Sequence, residues 1–487
     1  MSLYPPSLLY IGGALRAAEG DRRYDNVAPA TRTVVGQAAD ASAEDLDAAI
    51  AAARTAFDDT SWSTDVALRV AWLEQLQAKL AELADTHRAR IAAETGATIG
   101  VTRAVGLDTP IAMMRWTIDL ARRYAYERDI GVDATMGVPS RRLVVKEAAG
   151  VVAAITPWNM PVQINLAKLT AALAAGCTVV LKPAPETPWS AMLIGEAAAA
   201  IGLPAGVLNV VTSGDKAALG EQLVTDPRID VISFTGSTAT GKRIMAAAAT
   251  TLKRVFLELG GKSANIVLDD APFPDALYSA LAVCYHAGQG CSLPTRILLP
   301  RSRYDEAVET LRMLFETMGY GDPDSEEQIL GPVASEAHYE RVLGYIRLGQ
   351  EEGARLVTGG AAESLAGFYI KPTLFADVRN DMRIAQEEIF GPVLVAIPHD
   401  GDDDAVRIAN DSLYGLGGAV QSADPARALA VARRIRTGSL NVNAANMFGA
   451  DAPFGGYKQS GIGREMGVEG FEEYLQTKTI AIPAEAA

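Results

Sequence analysis

The chain has 487 residues, 49% of them hydrophobic and 21% charged. That composition supports a large buried core and excludes disordered, collagen-like and low-complexity classes. Lys and Arg total 44 against 59 Asp and Glu, a net charge of −15, which argues against gripping a nucleic-acid backbone over a broad face but leaves room for a small anion held by a few lysines and backbone amides.

At about 150 residues per domain, the length suggests roughly three domain-sized units, or two with elaborations. Met1-Ser-Leu-Tyr lacks a basic start followed by an apolar core, so no secretory leader is expected and the protein reads as cytoplasmic. Leu9–Gly13 reads as a short strand ending in a turn. Glu44–Phe57 has helical periodicity, with Ser42 placed to cap it. Ala67–Ala93 and Pro110–Tyr126 are further predicted helices. Residues 148–167 carry no charge and are about long enough to cross a bilayer. Pro157, Pro161, Asn159, Gln163 and Asn165 would be costly in lipid, so the run is read as a buried strand and loop.

Gly150–Ile155, Cys177–Leu181, Val207–Val211 and Val231–Phe234 are short apolar runs rich in β-branched residues, separated by predicted helices over Ile164–Ala175 and Ser190–Ile201. Such alternation predicts a parallel α/β sheet of nucleotide-binding topology. A second α/β pattern follows from Val255, through Ser263–Leu268, Ile297–Leu299, Arg303–Met318, Glu340–Glu352 and Val393–Ile397. Asp129–Lys146 and Thr477–Pro483 fit neither pattern; they read as an arm that pairs with another subunit or, equally, as a surface hairpin.

Three cysteines (Cys177, Cys284, Cys291) argue against a disulfide framework, and four histidines (His87, His286, His338, His399) leave little material for metal clusters or histidine bases. No metal is expected. Gly236-Ser-Thr-Ala-Thr-Gly-Lys242 almost spells a phosphate-binding P-loop, but Arg243 stands where Ser or Thr is required. A strand ending at Gly236 before a helix start can still bind a pyrophosphate through backbone amides. Cys291 sits between glycine and serine in Gly288-Gln-Gly-Cys-Ser292, an accessible position whose thiolate a following helix start would favour. Cys177 reads as a small buried hydrophobe, and Cys284, seven residues before Cys291, could share a helical face with it. His286 is the nearest histidine to Cys291 but an incidental neighbour more often than a partner. Glu258, between apolar residues and ahead of two glycines, suits either a buried base or a solvated strand end. Asn159, between Pro157 and Pro161, is either a rigid amide donor or a simple turn residue.

Together these segments resemble the aldehyde dehydrogenase superfamily, in its NAD(P)-dependent, hydrolytic, non-acylating form. Thr156-Pro-Trp-Asn159, Leu181-Lys-Pro183, Phe234-Thr-Gly-Ser237, Glu258-Leu-Gly-Gly-Lys262, Gly288-Gln-Gly-Cys291, Glu387-Glu-Ile-Phe-Gly-Pro392 and Pro453-Phe-Gly-Gly-Tyr-Lys458 match its signatures in order over about 300 residues. The resemblance implies an α/β fold with a Rossmann-like cofactor domain (1–128 and 147–257), a second α/β catalytic domain (258–440) and a small β oligomerisation arm (129–146 and 465–487), with 441–464 returning past the active site. It implies that Cys291 is the nucleophile, that Asn159 and the Cys291 N–H hold the oxyanion, and that Glu258 activates water.

The same match assigns cofactor roles to Trp158, Lys182, Gly236, Ser237, Glu388 and Phe390, and places Lys168 near Glu258. Met160, Gln163, Ile164, Ala167, Gly290, Ser292, Phe448 and Phe454 would surround the aldehyde tunnel, which is mainly apolar and suited to aliphatic, terpenoid or aromatic aldehydes. No arginine among them would grip a second carboxylate. NAD is the expected cofactor. NADP is possible, because Pro185 in Lys182-Pro-Ala-Pro-Glu186 stands where many NAD-preferring members carry a glutamate. A homo-oligomer, dimer or tetramer, is expected, with no nucleic-acid or membrane partner. A CoA-acylating relative, a non-catalytic structural member and a P-loop phosphotransferase are the rival readings.

Overall fold

Val151–Ile155, Thr178–Lys182, Leu208–Val210 and Val231–Thr235 are fully or almost fully buried runs rich in β-branched and apolar residues, and Arg254–Glu258 is buried over its last three residues. They pair in parallel at the heart of an eight-stranded sheet, as strands covered on both faces do. Gly461–Ile462 closes one edge antiparallel to Arg254–Glu258, and Leu9–Ile11 with Ala14–Arg16 closes the other. The computed structural model describes residues 4–215 and 217–484; the expected leader-free start and the ends of the outermost segments, at 1–3 and 485–487, lie outside them.

The predicted helices take their places against this sheet. Ala43–Asp59 is capped by Ser42, which accepts from the Asp45 N–H while the Asp45 carboxylate accepts from the Ser42 N–H. Val66–Thr95 and Asp108–Arg123 follow. The uncharged 148–167 run is a strand, a short loop and the start of a helix, Pro161–Ala175, rather than strand and loop alone. Pro161 supplies the preset φ of a first turn, a signal that places the helix three residues before the predicted Ile164. Among the described residues no helix is long and apolar enough to cross a membrane.

Arg254–Glu258 belongs to the first sheet, so the second α/β pattern starts at Ser263, not at Val255. That second sheet has seven strands, ordered Arg355–Thr358, Thr373–Ala376, Val393–His399, Pro294–Pro300, Ser263–Val267, Gly418–Gln421 and Asn441–Val442. All its pairings are parallel except Arg355–Thr358. Glu127–Asp133, Ser140–Ala148 and Leu475–Pro483 form a separate three-stranded antiparallel sheet. The link Leu259–Lys262 carries the chain from the end of a first-sheet strand to the beginning of a second-sheet strand. The carboxyl edge of one sheet thus faces the amino edge of the other.

Candidate active site

Strand order in the first sheet reverses between Val151–Ile155 and Val231–Thr235. Ligand crevices in open α/β sheets form beyond the carboxyl ends of strands at such a switch point. The two strands end in Thr156–Met160 and Gly236–Ser237. Asn159 is buried two residues ahead of the Pro161–Ala175 helix. Its Nδ2 donates to the Gln289 carbonyl (2.8 Å) and its own carbonyl accepts from His286 Nε2 (2.8 Å). That bond puts the His286 proton on Nε2, and burial pushes the ring down to about 4, so it is neutral. His286 therefore holds Asn159 rather than activating Cys291.

Residues 286–288 run through three successive left-handed conformations, and a Cβ at Gly288 (φ 73°) would sit 2.1 Å from the Gly391 carbonyl oxygen. The buried Gln289 amide secures the bend: it accepts from the Ala334 N–H (2.8 Å) and donates to the His286 carbonyl (3.0 Å). The same bend breaks the predicted face shared by Cys284 and Cys291; Cys284 is buried and remote in character. Cys177 is buried, its thiol on the Tyr474 carbonyl (3.4 Å).

Cys291 is partly exposed in a turn ahead of Pro294–Pro300, so no helix start favours its thiolate. Enclosure, with the Glu258 and Glu388 carboxylates beside it, pushes the thiol well above its ordinary range. Glu258, buried at the end of its strand, takes a hydrogen bond from that thiol. Burial first and Glu465 second raise its carboxyl well above the usual value, against an opposing pull from Lys168. Its Oε1 is buried with no protein partner. Lys168 sits 2.6 Å from Glu465 Oε1, donates to Ser233 Oγ (3.1 Å) and lies over the Phe256 ring.

Two cavities meet here. One, of about 310 Å³, is lined by Met160, Gln163, Ile164, Ala167, Gly290, Ser292, Phe448 and Phe454, the whole expected tunnel set. Val105, Thr109, Pro110, Met113, Tyr285, Leu293, Asn446, Glu465 and Met466 complete the wall and were missed. The first four come from a segment about 50 residues upstream of Asn159 that carries no motif. The second cavity, a cleft of about 180 Å³, is lined by Trp158, Gly236, Ser237, Glu388 and Phe390, and by His338 and Arg341, which were also missed as site residues. Asn159, Ile164, Glu258 and Cys291 line both.

Within the cleft, Glu388 accepts from the Gly261 N–H (2.9 Å), and a Cβ at Gly260 would come within 2.4 Å of its carboxylate. Ser237 caps the helix Thr238–Ala248, accepting from the Thr240 N–H (3.2 Å). Lys242, the end of the near-P-loop run, bonds Gln459 Oε1 instead (2.9 Å). Lys182 is buried at the end of its strand and does not line this cleft. Its charge helps the Ala217 and Ala218 amides hold the Asp215 carboxyl low.

The model of the aldehyde dehydrogenase family matches residues 15–480. The chain belongs to that family. It is 41% identical, over 97% of both chains, to a 3-succinoylsemialdehyde-pyridine dehydrogenase of a Pseudomonas species. It is 40% identical to the geranial dehydrogenase of Castellaniella defragrans, over 97% of this chain and 98% of that one. Among solved structures, aldehyde dehydrogenase C of Pseudomonas syringae, a mutant in complex with NAD+ and octanal, superposes with a TM-score of 0.93 at 42% identity, covering 99% of this chain and 98% of that one. The paired α/β sheets are thus those of an aldehyde dehydrogenase.

Proposed function

We propose that this aldehyde dehydrogenase oxidises apolar aldehydes, aliphatic, terpenoid or aromatic, to carboxylic acids with NAD. The observation that carries the reading is the junction itself: Cys291, Glu258 and Asn159 are where an apolar chamber meets a polar cleft. The relatives support both halves, since one holds octanal and NAD+ together and another is named for geranial. The cleft residues suit a dinucleotide. A capped helix start at Ser237 offers backbone amides to a pyrophosphate, the Thr235 hydroxyl is buried without a partner, and Glu388 offers a carboxylate to ribose hydroxyls. When bound, NAD supplies a hydride acceptor.

Cys291 attacks the aldehyde carbon, and Glu258, in hydrogen-bonding reach, receives the thiol proton. Asn159 Nδ2 and the Cys291 N–H stabilise the oxyanion of the thiohemiacetal. Gln289, which accepts from Asn159 Nδ2, orients that amide. After oxidation leaves a thioester on Cys291, Glu258, having released the thiol proton to solvent, takes a proton from water, which attacks the acyl carbon. The acid departs and the thiol is restored. The buried Lys168–Glu465 pair sets the charge around Glu258.

The reading carries with it a cofactor domain and a catalytic domain split near Glu258, and a cytoplasmic protein with three unpaired cysteines. The exposed Ile130, Val132, Ile480 and Ile482 of the three-stranded sheet are the surface of a homo-oligomer, dimer or tetramer. The test is a panel of aldehydes, with octanal and geranial first, assayed with NAD and NADP separately by absorbance of the reduced cofactor. Pro185 makes NADP the informative second arm. No reduction with any aldehyde would overturn the reading.

A further inference from the structure

The helices Asp108–Arg123 and Pro161–Ala175 pack side by side next to the aldehyde chamber. Met113, Met114 and Thr117 on the first, and Ala167, Thr170 and Ala171 on the second, follow helical spacing, so each set shares one face. Between those faces lies a third cavity, of about 30 Å³, with Phe471 on another side. Met113, Gln163, Ala167 and Met466 line both this cavity and the chamber. A single layer of side chains, two of them methionines, therefore stands between the two spaces, and methionine yields readily to a guest.

Thr170 is the odd residue in that wall. It is buried, and its hydroxyl has no hydrogen-bond partner. A threonine inside a helix commonly returns its hydroxyl to the carbonyl four residues back. Thr95, Thr225 and Thr310 do so here, at 2.6, 2.8 and 2.8 Å. Thr170 does not, and its oxygen is left for the cavity that it lines. Valine would fill the same shape without an unpaired oxygen, and a buried hydroxyl without a partner is a net cost to the fold. A mostly apolar space with a polar group aimed into it is how a pocket fixes the orientation of an apolar guest.

We propose that this cavity is a branch of the aldehyde chamber that receives the far end of the substrate, and that Thr170 is a specificity-determining residue there. Its hydroxyl hydrogen-bonds an oxygen, hydroxyl or carbonyl, carried on the tail. The preferred substrates are thus aldehydes with an apolar body and one oxygen near the other end. Room for the end of a tail is what the volume allows, since a single water-sized group needs about 10–15 Å³. Thr170 lies three residues beyond Ala167, about 4.5 Å further along the helix, so the oxygen must be several methylenes from the reacting carbon. The inference rests on the proposed reading that the chamber takes the aldehyde.

The experiment uses the full chain with NAD and aldehydes matched in length. Hexanal, octanal, decanal and dodecanal are each compared with their ω-hydroxy and methyl-ketone counterparts, in wild type, Thr170→Val and Thr170→Ser. Wild type is expected to favour the oxygen-bearing partner at one or two adjacent lengths, by about tenfold in kcat/KM, the worth of one well-placed hydrogen bond. Thr170→Val should erase that preference while kcat/KM for the plain alkanal stays within about twofold. Thr170→Ser retains the hydroxyl and should restore most of the preference, and KM for NAD should not change in either variant. An equal preference in wild type and Thr170→Val would overturn the inference. So would a wild type with no preference at any length, or a loss shared equally by the alkanal and its oxygen-bearing partner. Should Thr170→Val fail to fold, Thr170→Ala carries the same comparison. A wild type that oxidises none of the aldehydes refutes the functional reading instead, whereas one that oxidises the alkanals alone refutes only this inference.

Discussion

The two cavities that meet at Cys291 are built by opposite means. The cleft is framed largely by main chain (Gly236, Gly260 and Gly261, a helix start, and the carbonyls and amides around Glu388 and Phe390), with Trp158, His338, Arg341, Glu388 and Phe390 as its side chains. The chamber is made of side chains, among them Met113, Met160, Met466, Phe448 and Phe454. Backbone sites are rigid and place polar groups to within fractions of an ångström. Methionine and phenylalanine walls adapt to the shape of an apolar guest. The difference teaches where specificity can vary: one cavity must hold the same cofactor every turnover, whereas the other can change its guest by changing single side chains.

The sharpest break of that comparison is at the shared residues, which belong to neither cavity alone. Cys291→Ala removes the one thiol that lines them among the described residues, and cofactor reduction with every aldehyde should fall to background, while binding of NAD, followed by fluorescence quenching, persists. Retained reduction would refute Cys291 as nucleophile. Glu258→Gln separates the two halves of the reaction. It should keep a burst of cofactor reduction while slowing steady turnover by about 10²–10⁴-fold, the usual contribution of a general base. Equal loss of burst and turnover would remove Glu258 from the hydrolytic step.

The pH dependence follows with a definite sign. Burial and Glu465 raise the Glu258 carboxyl well above its ordinary value. Its ionised, proton-accepting form is therefore lost as pH falls through that raised value, well before an ordinary glutamate would protonate. Steady turnover should climb with pH across this range, and the limb should flatten in Glu258→Gln. A wild-type profile that is already flat from pH 5 upward contradicts a buried base. Asn159→Ala comes next in size. Losing one preset oxyanion donor costs about 10²–10³-fold in turnover, and KM for NAD should move little. A rise confined to KM would make Asn159 a binding residue.

What could be read from the chain before its structure followed the same division. The cleft and the three junction residues lie in short runs rich in glycine and proline, because main-chain sites need fixed local conformations that only certain residues adopt. Asn159, Gly236, Glu258 and Cys291 stood out as candidates for that reason, each with a simpler reading beside it, and Trp158 came only from the family resemblance. The rest depends on distant packing. Thr109 and Met113 reach the chamber from a helix with no local mark, and Lys168 meets Glu465 across 297 residues. His338 and Arg341 look like any polar pair on a surface helix until the 388–390 segment, whose carbonyls they bond, is laid beside them. Local periodicity also misjudged two boundaries. Pro161 opens its helix earlier than the apolar pattern shows, and Arg254–Glu258 joins the first sheet although its sequence runs straight into the second.

The smallest predicted effect tests the chamber by itself. Ala167 lies on the Pro161–Ala175 helix, one turn beyond Gln163, and faces the same wall as Met113 and Met466. Nothing polar depends on it, and it is remote from the Glu388 segment. Ala167→Leu adds bulk where the guest's tail would lie, and a one-methylene mismatch in an apolar pocket is worth about 10–200-fold in discrimination at most. Because methionine walls yield, the expected loss sits at the low end, about tenfold in kcat/KM for octanal. Acetaldehyde, too short to reach Ala167, should be oxidised as before, and KM for NAD should not change. A loss equal for both aldehydes would mean that the substitution disturbs the shared junction through its helix, and that the two cavities are mechanically coupled where their construction says they are separate.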